Sequence, residues 1–379
     1  MMYWRLSGVY LFYFASLGAL LPYWSLYLKS LDFSVTEIGQ LMAILMATKI
    51  VAPNVWGWIA DHTGQRMTII RLASLLAAIS FAGVFIGNAF WWLVLVLVTF
   101  SFFWNATLPQ FEATTMSHLG DDMHRYSGIR LWGSVGFILA VAGLGALLGQ
   151  FSIAILPYVL LGLFILIWLN SLSVPESAAG HLPLDQEPLG KVLRRPVVLS
   201  LLGVCFLMQA SHGPYYTFFS LYLEDFGYST TVIGQLWALG VLSEIGVFLL
   251  MPVLLPRFGA RRLLLLAVVL TMLRWLLTAF HADNPVIITF SQTLHAASFG
   301  LYHAVMIFLI HSLFTGAHQG RGQALYSSIS FGAGGAAGSL VSGYLWTGLG
   351  PQAMYLMAAA ICLCAICVVL FGVRDIPES

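Results

Sequence analysis

Seven ionisable residues stand inside stretches that are otherwise apolar: Lys49, Glu112, Arg130, Glu244, Arg274, His295 and His303. A charge at the centre of a bilayer costs several kcal/mol, so such residues mark solute or proton pathways by default. Lys49 lies thirteen residues past Thr36, about 20 Å along a helix and hence at mid-depth. Its counterpart 195 residues later is Glu244, in Ser243-Glu244-Ile245 against Thr48-Lys49-Ile50. Opposite charges at equivalent positions could clamp two halves together, or they could face a cavity in which a solute and a proton meet. Arg274 sits among Leu and Val. His295 and His303, eight residues apart, fall close to one face of a helix. A lone helical His is more often a hydrogen-bonded core residue, but two on one face beside a buried Arg and Glu suit a proton relay. Glu112 and Arg130 lie near predicted cytoplasmic helix ends, where snorkelling also accounts for a charge.

The elements that hold these residues follow from composition. The chain is 60 % hydrophobic and only 8 % charged, with a mean hydropathy of +0.90, whereas soluble domains are about 25 % charged. It cannot cover its surface with charge, so lipid is its main solvent. The net charge of +1 argues against a nucleic-acid partner. Stretches long enough to span a bilayer fall near 4–28, 36–60, 67–87, 89–112, 126–149, 151–173, 196–223, 231–254, 263–281, 285–313, 322–347 and 351–372. The first is too long for a signal-peptide core and reads as a span. The cysteines, Cys205, Cys362, Cys364 and Cys367, all lie in apolar runs and read as packing residues rather than a disulfide or metal framework.

With the N-terminus inside, Arg5, Arg66, Arg71, Arg125, Lys191, Arg194, Arg195, Arg257, Arg261, Arg262, Arg321 and Arg374 are cytoplasmic, and only Lys29 is outside. That bias predicts two cytoplasmic termini. The polar stretch after Ser173, with Pro175, Pro183, Pro188 and Arg194-Arg195, predicts a cytoplasmic linker over 174–195 between six-helix bundles at 1–173 and 196–379.

A duplication is visible in the letters. Ser25-Leu26-Tyr27-Leu28 returns as Ser220-Leu221-Tyr222-Leu223, and Ile38-Gly39-Gln40-Leu41 as Ile233-Gly234-Gln235-Leu236, both at an offset of 195. Glycines recur at close spacing in the fifth and eleventh stretches, as in Gly145-x-x-x-Gly149 and Gly334-x-x-x-Gly338, which permits tight helix packing. After the second stretch comes Gly57-Trp58-Ile59-Ala60-Asp61-His62-Thr63-Gly64-Gln65-Arg66. Gly64 allows a turn with positive φ, and Asp61 can pair with a neighbouring helix end and hold an inward gate shut.

This segment resembles the G-x-x-x-D-[RK]-x-G-[RK]-[RK] signature of the major facilitator superfamily, with His62 and Gln65 at two of the basic positions. At offset 195, Pro252…Pro256-Arg257-Phe258-Gly259-Ala260-Arg261 keeps the glycine and the basic residues and loses the acid. The resemblance implies an all-α integral membrane fold of twelve helices in two pseudo-symmetric bundles, with a site at the midplane between repeats. Within the superfamily the chain is similar to the lactose-permease-like branch that includes the 3-phenylpropionate transporters. That similarity runs through Ala296-Ala297-Ser298-Phe299-Gly300-Leu301-Tyr302-His303 and Gln319-Gly320-Arg321-Gly322-Gln323-Ala324-Leu325-Tyr326, and it implies a basic residue at Lys49. Against lactose permease, Phe111-Glu112-Ala113 resembles the segment whose Glu binds galactoside. Arg130-Leu131-Trp132-Gly133-Ser134-Val135-Gly136-Phe137 resembles the fifth helix, with Phe137 where a Trp stacks on sugar. Leu273-Arg274 and Thr293-Leu294-His295 match the ninth and tenth helices. The branch's proton-carrying Glu is Ser298 here, which leaves Glu244 as the expected coupling acid.

The expectation is a proton-coupled symporter working by alternating access on an aromatic or other monocarboxylate. Lys49 and Arg130 are its anion partners; Tyr13, Trp104, Phe137 and Tyr215 its walls; Glu244, Arg274, His295 and His303 its coupling groups; Gly57, Asp61, Gly64 and Arg66 its gate. The alternative solute is a glycoside or nucleoside held by Glu112 and Arg130, and the remote alternative is a non-transporting sensor. The sequence holds no nucleotide loop and no His-Glu-x-x-His, so no enzyme, cofactor or metal is expected. A functional monomer in a bacterial-type inner membrane completes the reading.

Overall fold

The computed structural model describes residues 2–120, 122, 125–176, 189–314 and 319–373. In lipid every backbone polar group must pair internally, so apolar runs of this length close their own hydrogen bonds as helices, and no strand occurs among the described residues. The first half carries α1 (Met2–Ser30), α2 (Val35–Thr63), α3 (Arg66–Phe81), α4 (Phe90–Leu119), α5 (Tyr126–Leu148) and α6 (Leu156–Leu172). After a short helix, Leu189–Leu193, come α7 (Pro196–Asp225), α8 (Thr230–Phe258), α9 (Ala260–Phe280) and α10 (Pro285–Leu313). The last two are α11, made of Gln319–Ser327, a π-helix Ser328–Gly334 and Gly335–Leu349, and α12 (Pro351–Gly372).

Eleven of these helical spans are long and apolar enough to cross a membrane. The twelfth, α11, is less apolar because it opens on Gln319-Gly320-Arg321-Gly322-Gln323 and continues through serines and glycines. α10 also holds a π-helix, Ala296–Leu301. α4 runs seven residues beyond its predicted end: Thr114 and Thr115 donate to the carbonyls of Gln110 and Phe111 one turn back, so these polar residues remain helical. Glu112 is therefore inside the helix, not at its end.

Two compact units divide the chain. One is Met1–His181 with Tyr228–Gln235; the other is Leu182–Gly227 with Leu236–Ser379. In the first unit α1 and α5 approach closely through Gly18, where an added Cβ would stand 2.6 Å from the Phe137 carbonyl oxygen, and through Gly136, where it would collide with the Leu11 carbonyl. In the second unit Gly213, 195 residues after Gly18, lies against the backbone of Gly338 in α11. Backbone on both sides leaves nothing to swing aside. Gly136→Val is expected to lower folded yield in membranes at least about fivefold, since core overpacking costs about 1–3 kcal/mol; gel-filtration recovery of the purified protein measures it.

The first residues of the predicted linker contact the first unit. Val174 is fully buried with Leu6, Val9, Tyr10, Met67, Ile70, Phe111 and Ile129. Arg71 donates to its carbonyl at 2.6 Å. The Glu176 carboxylate accepts from the amides of Met67 at 3.0 and 3.1 Å and Thr68 at 3.3 Å, satisfying the exposed N–H groups at the start of α3. Glu176→Gln removes the anion from that helix terminus, worth about 1 kcal/mol. Melting in detergent is expected to fall by about 2–4 °C. Pro183, Pro188 and Arg374 lie outside the described residues.

Candidate functional site

Three ionisable residues of the second unit, Arg274, His295 and Glu244, form one bonded chain. Arg274, fully buried in α9, donates from Nη1 to His295 Nδ1 at 2.7 Å and to Ser298 Oγ at 2.8 Å, and from Nη2 to Gln292 Oε1 at 3.0 Å. The far imidazole nitrogen, Nε2, lies 2.6 Å from Glu244 Oε1. A guanidinium can only donate. Nδ1 of His295 must then present its lone pair, and the ring proton sits on Nε2 and points at Glu244. The order Arg274 to His295 to Glu244 thus fixes one tautomer of a neutral imidazole, with a carboxylate at its end.

Local structure permits this arrangement. A Cβ at Gly240 would stand 3.1 Å from the His295 ring, and one at Gly300 would stand 3.4 Å from Glu244 Cα. These two glycines let α8 and the π-helical turn of α10 close on each other. That turn begins right after His295 and carries Ser298. Tyr215 on α7 donates to Gln292 Oε1 at 3.2 Å, and the guanidinium carbon lies 4.2 Å from its ring and 4.8 Å from that of Trp275. Tyr215, expected as a solute wall, belongs to the packing around Arg274. Gln292 and Trp275 were missed in the sequence; the signal for Gln292 was a polar amide one turn before His295.

His303 has a different partner. It pairs with the Tyr326 hydroxyl through Nδ1 at 2.8 Å. A column of parallel rings links it to His295 by way of Phe299, with centroids 5.7 and 5.5 Å apart. The two histidines share a face as expected, but apolar stacking separates them.

In the first unit Arg130 Nε lies 3.8 Å from Glu112 Oε1, each side chain about a third exposed. The guanidinium carbon is 4.0 Å from the Phe14 ring centroid and 5.6 Å from that of Tyr10. This accessible acid–base pair has aromatic faces beside it, and Phe14 and Tyr10 had no signal beyond their place in an aromatic-rich span. Tyr13 and Trp104 are buried and stacked on each other at 5.1 Å, with Trp104 stacked in turn on Phe100. Phe137 is buried as well, its carbonyl facing Gly18. Lys49 on α2 is half-buried and forms no ion pair with described residues of its unit. Its neighbour Thr48 donates to Ser101 and accepts from Asn105, both at 2.9 Å, tying α2 to α4.

At the α2–α3 turn, Gly64 takes φ +68° and its N–H donates to Ala60. Asp61 pairs at 2.9 Å with Arg66, the first residue of α3. Gly57 lies near the Gln110 amide, where an added Cβ would stand 3.5 Å from Nε2. Cys205 and Cys362 are buried, but Cys364 and Cys367 are exposed rather than packed. No group of three or more His, Cys, Asp or Glu able to hold a metal ion occurs among the described residues.

Comparison with known proteins gives a consistent picture. The model of the "MFS_1 like family" matches residues 3–357. The probable 3-phenylpropionic acid transporter of Escherichia coli (strain K12) is 30 % identical over 363 residues, covering 92 % of this chain and 92 % of the relative. The maltose permease of Geobacillus stearothermophilus is 29 % identical over 370 residues, covering 95 % and 92 %. Among solved structures, a point mutant of the nucleoside transporter NupG superposes with a TM-score of 0.88 at 18 % identity, over 99 % of this chain and 100 % of that one.

Proposed function

We propose, for a chain that belongs to the MFS_1-like family of the major facilitator superfamily and is a multi-pass membrane transporter, that it couples proton entry to the uptake of an aromatic monocarboxylate. The observation that carries the coupling is the buried chain from Arg274 through His295 to Glu244. A carboxylate there accepts from an imidazole N–H and has a fixed cation two groups away, so a single added proton changes the charge of the cluster. Groups of this kind bias one transport state over another because each state solvates the charge differently. Lys49 and Arg130 are the cations for the solute carboxylate, and Phe14 and Tyr10 offer ring faces beside Arg130. The relative named for 3-phenylpropionic acid supports that choice. We place the protein in a bacterial-type inner membrane, as a monomer with both termini cytoplasmic.

A second reading rests on Glu112 beside Arg130 at 3.8 Å. An acceptor and a donor at that spacing bind hydroxyl pairs, and relatives named for maltose and nucleosides accord with it. Counterflow in proteoliposomes with 3-phenylpropionate, maltose and a nucleoside separates the two readings. The expectation is exchange of the aromatic acid, with half-saturation raised at least about tenfold by Lys49→Met through loss of a charged hydrogen bond. Exchange of maltose or the nucleoside alone would overturn the carboxylate assignment, and the absence of exchange with any solute would favour a sensor.

A further inference from the structure

A second buried imidazole lies in the same unit, outside the chain just described. His212 on α7 is 1 % exposed. Its Nδ1 is 2.7 Å from the Met208 carbonyl, which can only accept, so Nδ1 carries the ring proton. Nε2 is therefore a bare lone pair, and it is buried without a hydrogen-bond partner among the described residues. Such an orphaned acceptor is rare in a folded protein and calls for an explanation.

The ring of His212 stands edge-on to Trp275 with centroids 5.0 Å apart. The guanidinium of Arg274 rests 4.8 Å from the same indole. Arg274 has an orphan of its own: Nε is buried and unpartnered. A spare donor and a spare acceptor thus pack on one aromatic ring. The other titratable or charged groups around it are Glu244 on α8, His295 on α10, Tyr215 and Tyr216 on α7, and Tyr355 and Cys362 on α12. Tyr215 is already bonded to Gln292. In this group the His212 imidazole, at Nε2, and the Tyr355 hydroxyl are both buried with no hydrogen-bond partner among the described residues. Of the two, the imidazole nitrogen, its ring proton held on Nδ1, is the one that can only accept.

We propose that His212 is the second resting place of Arg274, a positioning residue that receives the guanidinium when the Glu244–His295 pair is loaded with a proton. The inference rests on the coupling reading above. The one lone pair of the His295 ring is Nδ1, now held by Arg274. A proton placed there makes His295 an imidazolium against the Glu244 carboxylate, and Nδ1–H then meets Nη1–H, donor against donor. Arg274 must turn away and needs an acceptor, which Nε2 of His212 provides across Trp275. Loss of the proton returns the guanidinium to His295. No bond other than N–H changes hands.

The full-length protein, labelled with 15N-histidine in nanodiscs, tests this directly, with His212→Gln assigning the resonance. His212 Nε2 is expected to move from an unbonded to a hydrogen-bond-accepting shift over the pH range in which wild-type uptake titrates. In proteoliposomes His212→Phe, which has no acceptor, is expected to need at least about tenfold more protons for half-maximal uptake, the equivalent of one charged hydrogen bond. His212→Gln, whose amide oxygen accepts, is expected to restore the profile. An unmoved His212 resonance, or a Gln variant no better than Phe, would overturn the proposal. Failure of the coupling reading alone looks different: Glu244→Gln would keep proton-driven accumulation while the His212 resonance still moved.

Discussion

Glu244→Gln is expected to abolish accumulation of solute against its gradient while leaving solute exchange intact. The amide is isosteric, and its oxygen still accepts from His295 Nε2–H, so the 2.6 Å contact has a neutral replacement. Stability should therefore change by no more than about 1 kcal/mol, the usual net worth of such a bond. What is lost is the charge. Without the carboxylate, a proton on His295 loses its Glu244 counter-ion while still facing Arg274, so loading of the cluster is opposed. Counterflow moves solute both ways with no net proton transfer and needs no such cycle. Uptake driven by an imposed pH gradient should fall by about 100-fold, with counterflow within about threefold of wild type. Equal losses in both assays would make Glu244 a structural residue.

The second large effect concerns Arg274. Arg274→Met leaves His295 Nδ1 and Ser298 Oγ without the guanidinium that donates to them and Gln292 Oε1 with Tyr215 in place of two donors. It also removes the fixed cation linked through His295 to the Glu244 carboxylate. Breaking a buried charged network by removing one partner costs about 3–5 kcal/mol. Poor folding and no transport are expected. Arg274→Lys restores the charge, but one ammonium cannot span three acceptors as the planar fork does, so partial recovery of the melting temperature without transport should follow. The double variant Arg274→Met with Glu244→Gln should melt higher than Arg274→Met alone, because the uncompensated carboxylate is gone. Thermal unfolding of the four proteins forms a closed cycle. Additive losses would mean that Glu244 and Arg274 do not share one network.

The architecture was legible because lipid imposes a simple rule: long apolar runs become helices. Each predicted stretch falls on one, and the offset of 195 that pairs Lys49 with Glu244 also relates Gly18 to Gly213, both pressed against backbone. Boundaries were less legible where polar residues stay helical by bonding their own backbone, as Thr114 and Thr115 do beyond Glu112. The contacts of Val174 and Glu176 were not legible because both read as polar-segment residues, yet one joins the core and the other caps α3.

Site residues divide along similar lines. Glu244, Arg274 and His295 could be picked out because charge in lipid is conspicuous, and the structure brings these three together. Gln292, Ser298 and Trp275 carry no charge, so their part in holding Arg274 emerges only when α9 and the π-helical turn of α10 are placed side by side. His303 satisfied the spacing rule as well as His295 did, but spacing could not say that Phe299 would separate them and that Tyr326 would take its Nδ1. His212 lies on another helix altogether and has no sequence neighbour that points to it.

Proton coupling is the central claim, and it is tested most directly by recording the pH outside proteoliposomes while solute runs in down its own gradient with no other ion gradient imposed. The wild type is expected to alkalinise the medium in proportion to solute entry, and Glu244→Gln to leave the pH flat. Solute entry in the wild type with no pH change, or entry that requires Na⁺ instead, would contradict the account.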